Sequence, residues 1–326
     1  MPHILLTGAG FSRNWGGWLA DEAFEYLLGH PLIDDGLRTL LWRHKGLGGF
    51  EAAYDEQQTE TSKPGRSVAM LDHAQRLNEA IRGMFDDMDK AFVTMRDFDF
   101  QKSLAISVTS FLTEFDAIFT LNQDLLLERQ YLTDNLSMLL YPKRTGWQIP
   151  GMEPIPMVPD LPLGALRIQA PMDPSKFAVQ KNLQPYFKLH GSSNWIDRSS
   201  GQPMLVIGGN KAVAIGRHEI LKWNNEQFKA YLAKPDTRLM VIGYSFGDEH
   251  INTVIGGAAE RGTLRVFIID PLGVDVLRRE REWLYPRYLG DKLPPYLIGA
   301  SRRTLREIFG GDMVEHGKVM RFFNSI

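Results

Sequence analysis

Apolar and polar positions follow two alternating regimes along the chain. Short apolar runs stand at 3–6, 117–120, 187–190, 239–244 and 265–270, each closed by glycine or small polar residues. Runs of that kind predict strands buried on both faces of a sheet. Between them the apolar spacing switches to that of helices, over 19–28, 36–44 and 104–115. Val68, Leu71, Leu77, Ile81, Met84, Phe85 and Met88 predict one long amphipathic helix from about 67 to 88. The polar stretch Glu56 to Arg66 has almost no apolar residue and predicts a loop. Short β runs alternating with helices imply an α/β fold with a mostly parallel sheet.

Two segments break this rhythm. Nine of the chain's 18 prolines fall within 142–185. Proline fixes φ and removes a donor, so this stretch predicts a small irregular module rather than a helix or a central strand. The tail, 271–326, is rich in Lys and Arg and in large apolar residues (Leu284, Tyr285, Tyr288, Tyr296, Phe322, Phe323). Within it, Ser301 followed by Leu305, Ile308, Phe309 and Gly310-Gly311 predicts a capped helix with a glycine stop. The expected organisation is one domain over 1–270, with a helical insertion at about 31–100 and the proline-rich module at about 142–185. The helical tail, 271–326, would make packing or oligomer contacts.

Composition narrows the function class. Thirty-seven Lys and Arg against 39 Asp and Glu give a net charge of −2, which argues against wholesale binding to nucleic acid or to anionic lipid. The sequence has no cysteine. Disulfides, Cys-ligated zinc and thiolate nucleophiles are therefore excluded. The opening residues lack a basic region followed by an apolar stretch, and no window reaches ~18 uninterrupted apolar residues. The expectation is a cytoplasmic protein with no membrane contact.

Chemistry concentrates where the apolar runs end. The first run leads into Gly8-Ala9-Gly10-Phe11-Ser12. Such a loop either lets the backbone approach a pyrophosphate at a helix N-terminus or is simply a tight strand-to-helix turn. Arg13 stands where a dinucleotide fingerprint has its third glycine. Thr120-Leu121-Asn122-Gln123-Asp124 closes the second run; Asn122 suits ribose hydroxyls or an ordered water, or else Asn122 and Asp124 cap the next helix. His190, in Lys188-Leu189-His190-Gly191-Ser192, is either a structural histidine, as a lone one more often is, or, at the end of a strand, a general base near neutral pH. Gly243 and Ser245 end a fourth run, and Asp270 a fifth. An acidic residue there holds ribose hydroxyls or closes a turn before Pro271.

Taken together, these motifs resemble those of the sirtuin-like superfamily. GAGFS resembles its GAGxS loop, TLNQD its TxNxD segment, and KLHG the strand carrying its catalytic histidine. IGYSFGDEHIN is similar to a segment of the bacterial sirtuin-like NADases of anti-phage defence. The resemblance runs from about Ile4 to Asp270 and implies a Rossmann-type domain that takes NAD+ as substrate. On that resemblance Gly8, Ala9, Gly10, Phe11 and Ser12 cradle the pyrophosphate. Asn122 and Asp124 lie beside the nicotinamide ribose, His190 is the base, and Gly243, Ser245, Phe246 and Asp270 line the adenosine side. Protein-deacylating sirtuins usually carry four zinc-binding cysteines between the Asn and His motifs; here that interval has none. Leu121 also replaces the family's glutamine, and the Phe-Arg pair after the first glycine motif is not evident. These departures leave NAD+ binding intact and weaken an acyl-lysine substrate, so NAD+ hydrolysis to nicotinamide and ADP-ribose is expected, with no metal. Deacylation and non-catalytic NAD or ADP-ribose sensing remain as alternatives. The resemblance further suggests homo-oligomers and a separately encoded activator, such as a HerA-type hexameric ATPase.

Overall fold

A computed structural model describes residues 1–65, 67–101, 103, 106–133, 136–140, 142–155, 166, 168–209, 211–278 and 288–324. Eleven strands are found among them: β1 His3–Thr7, β2 Ala117–Thr120, β3 Gly146–Gln148, β4 Met152–Pro154, β5 Gln169–Pro171, β6 Leu183–Lys188, β7 Gly191–Ile196, β8 Pro203–Leu205, β9 Thr237–Ile242, β10 Leu264–Ile269 and β11 Leu297–Ser301. Seven form one sheet in the order β11-β10-β9-β1-β2-β6-β3. Every pairing in it is parallel. The fold is α/β and Rossmann-like, as the alternation of patterns predicts.

The apolar runs are continuous because both faces of this sheet are covered. Leu5, Ile118, Met240, Ile242, Phe267 and Ile269 pack toward one face, with the long helix and the tail's Leu305, Ile308, Phe309 and Phe322. Their strand neighbours Ile4, Leu6, Phe119, Leu239, Val241, Val266 and Ile268 pack toward the other, against Phe228, Leu232, Ile251 and Ile255. That is the period-two alternation of a strand.

Strand order fixes where a ligand can sit. The chain runs from β1 outward to β2 and β6, then returns to β9 on the opposite side of β1. The segments that follow β1 and β9 pack on opposite faces of the sheet, so the crevice in which open α/β sheets take ligands lies outside the carboxyl ends of these two strands.

Several expectations are corrected. The long helix spans Val68–Thr94, with Ser67 capping the Met70 amide. The polar stretch after Glu56 is mostly helical, because the helix Gly49–Ser62 buries Phe50, Ala53 and Gln57 while its polar residues face outward. Gln57 Nε2 also donates to Met70 O at 3.0 Å, joining the two helices. The helix expected over 104–115 is Val108–Thr113, capped by Ser107; residues 104 and 105 lie outside the described residues. The proline-rich stretch runs into an interior strand, since Pro185 belongs to β6. It is tolerated there because β6 pairs with β2 only from Tyr186 onward. The rest of that stretch contributes β3 to the main sheet and β4 and β5 to a four-stranded sheet ordered β4-β5-β7-β8; residues 156–165 and 167 lie outside the described residues.

Beyond residue 270 the tail supplies β11, an edge strand beside β10. Its helix Leu305–Gly310 is capped by Thr304 rather than Ser301, in a reciprocal box with Glu307. Ser301 instead donates to Glu315. Buried Arg238 of β9 donates to the carbonyls of Phe322 and Asn324 and pins the chain's end to the sheet.

Candidate functional site

The loops leaving β1 and β9 touch backbone to backbone. Gly8 N–H donates to Ile242 O at 3.0 Å, and Gly10 N–H donates to Gly243 O at 2.9 Å. A Cβ on Gly10 would lie 2.7 Å from Gly243 Cα, and one on Gly243, where φ is +62°, only 2.3 Å from Gly10 C. Three glycines are thus required for two loops to meet at the switch point. Phe11 sends its ring into the core, 5.1 Å from Trp15, while Ala9 is exposed. Asn14 clamps the loop from below, donating to Gly10 O and Phe11 O and accepting from the Leu305 amide of the tail.

Ser12, buried at the end of this loop, meets the second motif. Asn122 Nδ2 donates to Ser12 Oγ at 2.9 Å. Ser12 also hydrogen-bonds the Asp124 carboxylate. Asp124 Oδ1 in turn accepts at 3.0 Å from the amide of Leu126, the first residue of the helix Leu126–Gln130, so it holds the start of that helix and faces Ser12 at once. The Asn122 amide donates to Thr120 Oγ1, which itself accepts from Thr7 Oγ1 at 2.7 Å. A line of small polar groups therefore stitches β1 to β2 directly under the crevice.

Beneath it lies a buried charge network. Lys188 of β6, fully buried, donates to Asp124 O at 2.5 Å and Glu128 Oε1 at 2.7 Å. Tyr186 donates to Glu128 Oε2 at 3.3 Å. Burial pushes the carboxyls of Asp124 and Glu128 above their usual range, with Lys188 opposing it in both.

His190 follows β6, one strand beyond Asn122. Its carbonyl accepts from Gln123 Nε2 at 3.2 Å and from the Val206 amide at 3.0 Å. The next residue, Gly191, has φ +78°, and a Cβ there would lie 1.9 Å from Met204 O. Both flanks of His190 are thereby fixed. Its imidazole is buried, which drives its pKa down to about 3; Asp248 opposes that shift, and Lys211 and His250 add to it. At neutral pH the ring is uncharged, as a base must be.

The loop after β9 carries groups that the motif analysis did not single out. His250 Nε2 lies 3.1 Å from His190 Nε2. Asp248 pairs with Lys211 at 2.8 Å, and Lys211 with Glu51 of the helix Gly49–Ser62 at 3.0 Å. Burial alone would lower the Lys211 pKa, but these two carboxylates outweigh it and hold it above the usual range. Phe246 adopts φ +52°, unusual outside glycine. Asn252 Nδ2 donates to Phe246 O, while the Tyr244 hydroxyl accepts from the Asp248 amide. The Phe246 ring packs 4.9 Å from that of Tyr244. The strained loop is held from three directions and presents Asp248 and His250 toward His190. Both residues fall inside the GDEHIN segment quoted above, so their spacing was a signal within reach.

His190, Asp248 and His250 offer one ligand atom each, all within 4.8 Å of one another. By donor type they could hold a divalent cation. The Lys211 ammonium already on Asp248 opposes a second cation there. Asp270 ends β10 and closes a turn: its Oδ1 accepts from the Leu272 amide at 2.8 Å, and its N–H donates to Ser301 O. Ser245 sits half-buried in the β9 loop. The structure thus joins Gly8 and Gly10 to Gly243, and Ser12 to Asn122 and Asp124, and sets His190 against His250.

No helix among the described residues is long and apolar enough to cross a membrane. No curated protein matches the chain. The SIR2-like domain family matches residues 116–286, more than half of the sequence. The match takes in the Asn122, His190 and Gly243 segments and β10, and the loop after β1 joins them physically through Gly243 and Asn122. The chain belongs to the SIR2-like family, and its function is of the sirtuin-like, NAD-related kind.

Proposed function

We propose that this protein hydrolyses NAD+ to nicotinamide and ADP-ribose. The observation that carries the reading is the triplet Ser12, Asn122 and Asp124, built at the switch point from two separate motifs. Asn122 is held by its Nδ2, which leaves its carbonyl oxygen as an acceptor for a ribose hydroxyl or a water. His190, uncharged, is the base that accepts a proton from a hydroxyl or from the attacking water. Nicotinamide leaves as a neutral molecule from a cationic ribosyl pyridinium. The ribose then passes through an oxocarbenium-like state, as in glycoside cleavage, and orienting it against water is what the site contributes. The glycine loops after β1 and β9 would take the pyrophosphate and the adenosine side, with Ala9, Ser245, Phe246 and Asp270 at its margins.

Hydrolysis is favoured over acyl-lysine chemistry because the interval between Asn122 and His190 has no cysteine for the structural zinc of deacylases. An unregulated NADase would deplete its own cell. We therefore place the activity in bacterial anti-phage defence, in the cytoplasm, held in check by self-association or by a separately encoded activator of the HerA-type ATPase class; this rests on the family resemblance.

The test is release of nicotinamide and ADP-ribose from NAD+ by the purified chain, alone and with a candidate activator, beside Asn122→Ala. Release that disappears in the variant supports the reading. NAD+ binding without release under any condition overturns it in favour of a sensor, and release that requires an acyl-lysine peptide overturns it in favour of a deacylase.

A further inference from the structure

The imidazoles of His190 and His250 face each other through their Nε2 atoms at 3.1 Å. A neutral imidazole carries one N–H and one lone pair, so one ring donates and the other accepts. If His190 were the acceptor, its only lone pair would be spent on His250 and its Nδ1 would carry the proton, leaving it no basic nitrogen. A His190 that acts as base therefore donates from Nε2 and keeps Nδ1 unprotonated. We infer that His250 is the proton acceptor behind His190, a positioning residue that fixes the His190 tautomer and takes the proton His190 releases.

The step balances without any added reactant. A substrate or water O–H bond breaks as the Nδ1–H bond of His190 forms. The Nε2–H bond of His190 breaks as the Nε2–H bond of His250 forms. The positive charge then rests on His250, with the carboxylate of Asp248 in the same cluster to stabilise it. Burial is the largest influence on the His250 imidazole and lowers its pKa; Asp248 and Glu249 favour its charged form, and Lys211 opposes it. Lys211 is itself neutralised by Glu51 and Asp248. The loop is built to hold this arrangement: its strained Phe246 and the Tyr244–Asp248 and Asn252–Phe246 bonds fix the segment that carries His250.

The inference rests on His190 being the base in NAD+ cleavage, and its test separates the two. Nitrogen-15 histidine spectra of the full chain, assigned with His190→Gln and His250→Gln, read the tautomers directly. His190 protonated on Nε2 and bare on Nδ1 is the expected result; the reverse tautomer overturns the inference whatever the activity. Kinetics supply the second readout. His250→Gln keeps a carbonyl acceptor for the His190 N–H but cannot take up a proton. It is expected to bind NAD+ within about twofold of the parent while kcat falls on the order of 10²-fold, with a changed pH–rate profile. His250→Gln that retains the parent kcat and profile, while His190→Gln is inactive, overturns the relay and leaves the NADase reading standing. A stoichiometric divalent metal in the purified protein, lost in both histidine variants, overturns it as well. No NAD+ cleavage by the parent chain under any condition removes the reaction itself and overturns both.

Discussion

Asn122 donates its Nδ2 hydrogen to Ser12 Oγ across 110 positions of sequence, at 2.9 Å. The bond ties the loop after β1 to the loop after β2 and fixes which face of the Asn122 amide looks into the crevice. Ser12 completes the link by bonding Asp124. One hydroxyl thus orients two candidate catalytic side chains. Ser12→Ala leaves both without that partner in a buried setting, which destabilises the fold by about 1–3 kcal/mol. Urea denaturation reads this, and nicotinamide release should fall at least as steeply as it does in a variant of either partner alone. A Ser12→Ala protein with parental stability and turnover would show the link to be incidental.

The contact between the two glycine loops leaves no room for a methyl group. Gly243→Ala forces a Cβ to within 2.3 Å of the Gly10 backbone at a φ that L-residues rarely adopt. Backbone atoms on both sides cannot swing away as a side-chain end can. The expected loss is at least the ~1–3 kcal/mol of an overpacked core, and NAD+ affinity, read by calorimetric titration, should fall with it because both loops shift. Gly46→Ala is the control: its φ is also positive, +82°, but nothing lies within 4 Å of the added carbon.

Below the site, Lys188 and Glu128 form a buried pair. Lys188→Met leaves Glu128 and the Asp124 carbonyl without their donor and is expected to destabilise by about 3–5 kcal/mol, less whatever Glu128 recovers by taking up a proton. Adding Glu128→Leu removes the stranded carboxyl, so the double variant should be more stable than Lys188→Met alone. Chemical denaturation of the three proteins decides it; a double variant no better than the single one would mean that Lys188 acts through packing rather than charge.

Much of this was legible in the sequence, and the reason is local. Buried parallel strands must be apolar throughout, so β1, β2, β9 and β10 read directly as apolar runs, and the small polar residues that close them mark the crevice. What was not legible depends on distant partners. Helicity after Glu56 comes from Phe50, Ala53 and Gln57 packing inward, which a polar run conceals. Pro185 in an interior strand is permitted by the point at which pairing with β2 begins. β11 becomes a strand only because β10 offers it an edge. Lys211 and Glu51, far apart in sequence and in unrelated helices, carry no motif at all; only the fold brings them to Asp248.

Burial holds the His190 imidazole at a pKa of about 3, whereas in an unfolded chain a histidine titrates near ~6.5. Between those values the unfolded chain binds a proton that the folded one refuses. Stability therefore falls as pH drops below about 6.5, with this one group contributing a slope of up to ~1.4 kcal/mol per pH unit. Raised carboxyls such as Asp124 and Glu128 work in the opposite sense, because the folded state holds their protons more tightly. The measurement is accordingly a difference: urea stability of the parent and of His190→Gln at several pH values between 5 and 7.5, taken as conditions of about that range. His190→Gln should lose part of the acid sensitivity and converge with, or exceed, the parent as pH falls. Lys211→Met removes a cation that opposes His190 protonation, so it should raise the folded pKa and likewise flatten the curve, although it lies on a different element. Parallel curves for all three proteins would mean that the His190 imidazole is not held neutral by its surroundings but titrates near the ~6.5 of a free histidine, which is closer to the pKa that general-base work favours.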